Sequence, residues 1–277
     1  MLPPASRCAG DPTACEPGYT AGVILHPVPD GWVAVPQSAH ALLAFQIADH
    51  WGNRTTPRPS PRPDVLAAVL LHDAGWDDRE EPLRLAADGA PLAFDTWPES
   101  EREPLWAGSV ERAAQRGRYV AYLVSHHVSH LAACVSSSPH AVFLAAQEQR
   151  RAELRADLAA DPRYRDILSG PGDASNRDIV RISDAIAVHV IRGLTAVTML
   201  AGRSHGEGAQ DLELKPAGPV TVRLRPWPMS GARLVVHAEG RRLPTRRFAS
   251  ASALQAAWAA APTVRLSWSL LAPGAPA

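Results

Sequence analysis

Lysine is almost missing from this 277-residue chain: of 28 basic residues one is Lys215 and the rest are arginine. With abundant Ala and Pro, that skew most simply reflects GC-rich coding, so an arginine alone marks no site. An excess of either charge is missing too, because 28 Lys and Arg balance 28 Asp and Glu. A neutral chain offers no electrostatic footprint for nucleic acid or for a membrane surface. No apolar run reaches the ~18 residues of a membrane span. The opening MLPPASRCAGDPTACEPG lacks the basic start and apolar middle of a secretory signal. Cysteine is scarce, and Cys8, Cys15 and Cys134 are odd in number and widely spaced. That excludes a disulfide framework and a zinc knuckle. No Gly-rich phosphate loop, nucleophile elbow or dinucleotide fingerprint is found. The expectation is a cytoplasmic protein with no nucleic-acid or membrane partner.

What is there is enough apolar sequence, 46% hydrophobic against 20% charged, for one large core. Residues 1–20 read as a flexible leader. AGVILHPVPDGWVAV reads as two short strands around the Pro29-Asp30-Gly31 turn. Helical patterns follow in AHALLAFQIADHWGN, with Ser38 as N-cap, and in DVLAAVLLHDAG, with Asp64 as cap. The Pro-rich TTPRPSPRP separates them. Residues 77–104 read as a long ordered loop. Further helices are expected over about 106–134, 139–160 and 177–201. After Gly202, VTVRLRPWP, ARLVVHAEGRRL and TVRLSWSLL read as strands, with SASALQAAWAA as a short helix before the last. The division expected is a leader at 1–20, a helical domain at 21–202 and a small β-rich subdomain at 203–277 packed on it.

Several ionisable residues sit on apolar helix faces. His40 shares one with Leu43, Ala44, Ile47 and Trp51. His72 continues the stripe of Val65, Ala68 and Val69, with Asp73 about 100° further round. His127 continues Val110, Ala113, Gly117, Val120 and Val124, while His126 and His130 lie on a neighbouring face. Asp184 is embedded in RISDAIAVHVI. A lone buried His is more often a hydrogen-bonded core residue than a ligand. Four segments each aiming such a group inward change the odds, because one divalent cation would satisfy them all. Imidazole plus carboxylate suits Mn, Fe, Co, Ni or Zn better than Ca.

The order His, His-Asp, Asp resembles the HD superfamily of metal-dependent phosphohydrolases. That resemblance implies a helical core and a metal held by His40, His72, Asp73 and Asp184. A closer resemblance, over about residues 21–270, is to the bacterial domain-of-unknown-function family 3891. It rests on QSAHALLAFQIADHWG, HDAGW, PLAFDTWP, SVERAA and LVSHHVSHL. It implies a fold and supplies no activity. The fold class expected is mainly α: an HD-like helical core, a short N-terminal β-hairpin and a small C-terminal β-rich appendage.

The leading functional expectation is a hydrolase of a phosphate ester or anhydride, using a metal-activated water on a small-molecule substrate. Asp73 holds the metal, and His127 or Asp77 orients the water or protonates the leaving group. His126, His127 and His130 are the residues for a second metal or a pocket. A di-iron oxygenase on the same fold is the second reading. A non-catalytic binding module with a degenerate site is the third.

Overall fold

The computed structural model describes residues 22–77, 83–134, 140–205 and 208–276. The expected leader at 1–20 lies outside the described residues. β1 (Val23–Val28) and β2 (Gly31–Pro36) form the hairpin expected around Asp30. Their side chains alternate between two faces, as strand geometry requires. Ile24, Val33 and Val35 enter the main core, while Val23 and Ala34 enter a smaller one behind it.

The main core lies between the sheet and a layer of helices. These are α1 (Gln37–Asp49), α2 (Arg62–Leu71), α3 (Arg102–Ala114), α4 (Arg118–Cys134), α5 (Ala141–Ala159), α6 (Pro162–Ser169) and α7 (Pro171–Arg192). The helix expected over 106–134 is two, broken at Gln115–Gly117 between α3 and α4. Its apolar stripe passes through the break without changing face, which is why periodicity alone did not show it. The last helix begins before the expected start near residue 177. Pro171 opens α7, where its fixed φ and missing N–H cost nothing. Asn176 on α7 then ties down the Pro-rich segment, donating to the Ser60 carbonyl at 2.5 Å and to Tyr119 Oη at 2.8 Å.

The expected mainly α class with a small β appendage is wrong. One mixed seven-stranded sheet runs in the order β1-β2-β6-β7-β5-β4-β3. Its other strands are β3 (Thr198–His205), β4 (Gly208–Gly218), β5 (Thr221–Arg225), β6 (Arg233–Leu243) and β7 (Thr263–Leu271). β5 and β7 are parallel, and the other neighbours are antiparallel. The N-terminal hairpin is one edge of this sheet, since β2 pairs with β6 through Trp32–Leu243, Val33–Arg242 and Ala34–Arg241. Residues near 198 were expected to be helix. α7 instead ends before Gly193, whose φ of 82° suits glycine, and the chain turns into β3.

α1 and α7 bridge the helices to the sheet. Gln46 of α1 donates to the His237 carbonyl of β6 at 2.9 Å, and the His237 N–H donates back to Gln46 Oε1 at 3.0 Å. His26 Nδ1 of β1 lies 2.6 Å from the Ile191 carbonyl near the end of α7. α8 (Ala251–Ala260), capped by the Ser250 hydroxyl, covers the opposite face of the sheet with Leu254 and Trp258. No helix among the described residues is long and apolar enough to cross a membrane.

Candidate metal centre

Four side chains from three elements converge within the helical layer. α1 supplies His40, the C-terminal end of α2 supplies His72, the next residue is Asp73, and α7 supplies Asp184. One nitrogen or oxygen from each of these four lies within 4.8 Å of the other three. His40 and His72 are wholly buried, and the two carboxylates are nearly so. α2 is short of a final turn because Asp73 leaves helical geometry and starts the one-turn 3-10 helix Ala74–Trp76. That turn needs Gly75: a Cβ there would sit 1.9 Å from the Leu105 carbonyl oxygen of α3. The Gly75 N–H donates to Ser109 Oγ at 2.9 Å, which fixes the His-Asp corner against α3.

The protonation pattern of His72 is set locally. Its Nδ1–H donates to the Val69 carbonyl at 2.6 Å, which leaves Nε2 of the neutral ring as a lone pair. Nε2 faces His40 Nε2 at 3.3 Å, Asp73 Oδ2 at 3.3 Å and Asp184 Oδ1 at 3.4 Å. His40 Nε2 is 2.9 Å from Asp184 Oδ1 and 3.9 Å from Asp73 Oδ2. Lone pairs pointed at one another out of water repel. A cation at their common point removes the repulsion, either as a proton on the ring or as a metal ion. A proton on His72 balances one carboxylate, whereas a divalent ion balances both. Metal bonds of about 2.1 Å place adjacent tetrahedral ligands about 3.4 Å apart. The donor spacing of this cluster scatters around that value, so these residues fit a transition metal.

In the absence of an ion the electrostatics follow the same logic. Burial opposes the charged form of His72, but Asp73 and Asp184 outweigh it and hold its pKa well above the ordinary value. Burial raises the Asp184 carboxyl, yet bonds from His40 and His72 hold it well below the usual range. Asp73 is lowered as well, with His72 overcoming desolvation.

His127, on α4, stands beside the cluster. Its Nε2 is 3.7 Å from Asp184 Oδ2, and its ring packs edge-on to His72 with centroids 4.9 Å apart. Neither ring nitrogen has a hydrogen-bond partner among the described residues. Burial pushes its pKa down to about 4, so the ring is neutral near pH 7. His126 and His130 face another way. With Arg177, Asp178 and Arg181 they line a cavity of about 240 Å³ that His127 also touches. Asp77 follows the 3-10 turn and is exposed. Partial desolvation and the Asp73 charge raise its carboxyl above the usual range against the pull of Arg112.

Two features escaped the sequence reading. Gln37, one turn before His40, is buried with both amide atoms unpartnered among the described residues. Its place in the QSAHA stretch was the available signal. The second is a cleft of about 320 Å³ whose floor includes Asp73 and Asp184. Trp76, Phe94, Trp106, Leu131 and Val188 form its walls. Trp76 packs edge-on to Trp97 at 5.2 Å, so the 83–101 loop builds one side of the mouth. HDAGW and PLAFDTWP therefore meet at one place.

A family model described as "Protein of unknown function (DUF3891)" matches residues 23–245. The match runs from β1 through the end of β6 and includes every residue of the cluster. No curated protein and no solved structure matches the chain. None of these comparisons supports the expected resemblance to the HD superfamily.

Proposed function

The chain belongs to the DUF3891 family, and on the chemistry of its own centre we propose that it is a metal-dependent hydrolase of the HD type, acting on a phosphate ester or anhydride. The observation that carries this reading is the convergence of two imidazole nitrogens and two carboxylates on one buried point, with His72 Nε2 already set as a lone pair. His40, His72, Asp73 and Asp184 would hold Mn, Fe, Co, Ni or Zn. Such an ion lowers the pKa of a water and polarises a phosphoryl oxygen. The neutral ring of His127 would orient that water by hydrogen bonding. Asp77 would be the candidate to protonate the leaving group, since its raised pKa favours the acid form more than that of an ordinary carboxylate.

The di-iron reading needs His126, His127 and His130 as ligands; His127 stands beside the cluster, whereas His126 and His130 line the arginine-flanked cavity. The non-catalytic reading requires His72 to carry a proton where the hydrolase reading has a metal. Elemental analysis of untagged protein, beside His72→Ala and Asp184→Ala, separates them. One transition metal per chain in wild type, lost in both variants, is expected, together with metal-dependent release of phosphate from an ester panel. A wild-type protein that takes up no metal on reconstitution overturns the proposal. Stoichiometric metal in His72→Ala does so equally.

A further inference from the structure

The cavity beside His126 and the cleft above Asp184 lie along one pair of helices. On α4, His126, His127 and His130 line the first, and Leu131 and Cys134 the second. On α7, Arg177, Asp178 and Arg181 line the first, and Asp184, Ala185 and Val188 the second. Arg177, Arg181, Asp184 and Val188 are spaced by four, three and four residues, which is one helix face. The two hollows thus follow one another along the groove between α4 and α7, and Asp73 and Asp184 of the cluster border the second.

The chemistry changes along that groove. At one end Arg177 and Arg181 face His126 and His130, with Asp178 as the opposing charge. Arg177 is paired with Asp173 at 3.3 Å and Arg181 with Asp178 at 3.0 Å, so both guanidinium groups are held in place by their own helix. Arg151 and Arg155 of α5 add to the positive field, and with burial they help push His126 down to about 3. His127, only 3% exposed and unpartnered at both nitrogens, also lines this end. At the other end the walls are aromatic and aliphatic. The cations at that rim are committed: Arg102 donates to the Trp97 and Asp95 carbonyls, and Arg192 is bonded to the Asp95 carboxylate. The volume there is near the lower limit for small-molecule sites, about 300–1,000 Å³.

We propose that the α4–α7 groove is a two-ended site for an amphiphilic phosphate monoester, its anionic head at the Arg177–Arg181 end and a ring-sized apolar body between Trp76, Trp106 and Leu131. This rests on the hydrolase reading for the position of the head beside the cluster. It goes further in assigning the substrate class. A polyphosphate or a sugar phosphate is disfavoured, because Trp76, Phe94, Trp106, Leu131 and Val188 make the walls of that end mostly aromatic and aliphatic. Leu131, at the boundary, is a specificity-determining residue.

Calorimetric titration of the full chain, metal-loaded and metal-free, tests this with 1-naphthyl phosphate, glycerol 1-phosphate and inorganic phosphate. The naphthyl ester is expected to bind about tenfold or more tightly than the glycerol ester, as aromatic burial predicts. Leu131→Trp, which fills the apolar end, should remove that preference and leave inorganic phosphate binding in place. Arg177→Gln with Arg181→Gln should weaken all three ligands. Arg177→Gln alone serves if the double variant does not fold, with circular dichroism as the check. Equal binding of the two esters by wild type, or a naphthyl preference that survives Leu131→Trp, overturns the apolar end. Phosphate binding indifferent to the arginine variants overturns the basic end. Selective binding without turnover would remove the hydrolase reading and keep this one. Turnover blind to the body of the ester would do the reverse.

Discussion

The bond from His72 Nδ1 to the Val69 carbonyl is a helix-terminal contact that any histidine at that place can make. Its effect at this position is to hand the cluster a lone pair rather than a donor. Gly75 acts at the same scale by absence. Gly75→Ala would bring a methyl group to within 1.9 Å of a backbone oxygen, so α3 must move. A loss of about 1–3 kcal/mol is expected for such overpacking, read as a lower urea midpoint. His126 makes a separate prediction about acid. Burial and the nearby Arg177, Arg151 and Arg155 push its pKa down to about 3, against an ordinary imidazole value of about 6.5. Between those values the unfolded chain binds the extra proton. Stability from this group is therefore complete above pH 6.5 and falls as pH drops toward 3, by up to about 1.4 kcal/mol per pH unit. Urea melts at pH 7.5, 6 and 5 should show a shallower acid loss for His126→Phe than for wild type. Identical slopes would refute the assignment.

At the level of elements, Gln46 shows how a helix can finish a sheet. β2 pairs with β6 only at residues 241–243 of the latter, and toward His237 that side of β6 is met by the Gln46 amide. Gln46→Ala should cost about 1–3 kcal/mol, two bonds' worth with a half-buried strand edge left open. Thermal melting would measure it, and a change near zero would mean that water replaces the amide. The same elements show what could be read beforehand. The β1–β2 turn, α1, α2 and the inward faces carrying His40, His72, His127 and Asp184 were legible, because each is a local period with a local stop signal. β3 was not, because LTAVTML follows Gly193 as a mostly apolar run, broken only by Thr195 and Thr198, that fits either a strand or a helix. Nor was the join of β2 to β6. Strand propensity is local, but pairing over some two hundred residues leaves no trace in either strand. The cluster itself was legible as four positions, whereas the cleft above it was not, since nothing local in the sequence brings Trp76, Phe94 and Trp106 together.

For the whole molecule, the sheet order matters more than the strand count. β7 lies between β6 and β5, so the hairpin side and the β3–β4 side are joined through it. The family match stops at residue 245, before α8 and β7. A chain ended at residue 245 would nonetheless lose the central strand, along with Trp268, Leu270 and Leu271 from the core. It should give no cooperative melt and no native near-UV circular dichroism. A cooperative transition like that of the full chain would show that the two halves of the sheet stand alone.

The position of β7 also bears on how the protein is made. Translation delivers the β1–β2–β6 side and the β3–β4–β5 side before the strand that unites them exists, at about 5–20 residues per second. Throughout that interval the nascent chain presents open strand edges at the middle of its future sheet, not at the rim. Closure of the sheet therefore waits for β7, by which point every helix from α1 to α8 has already been made.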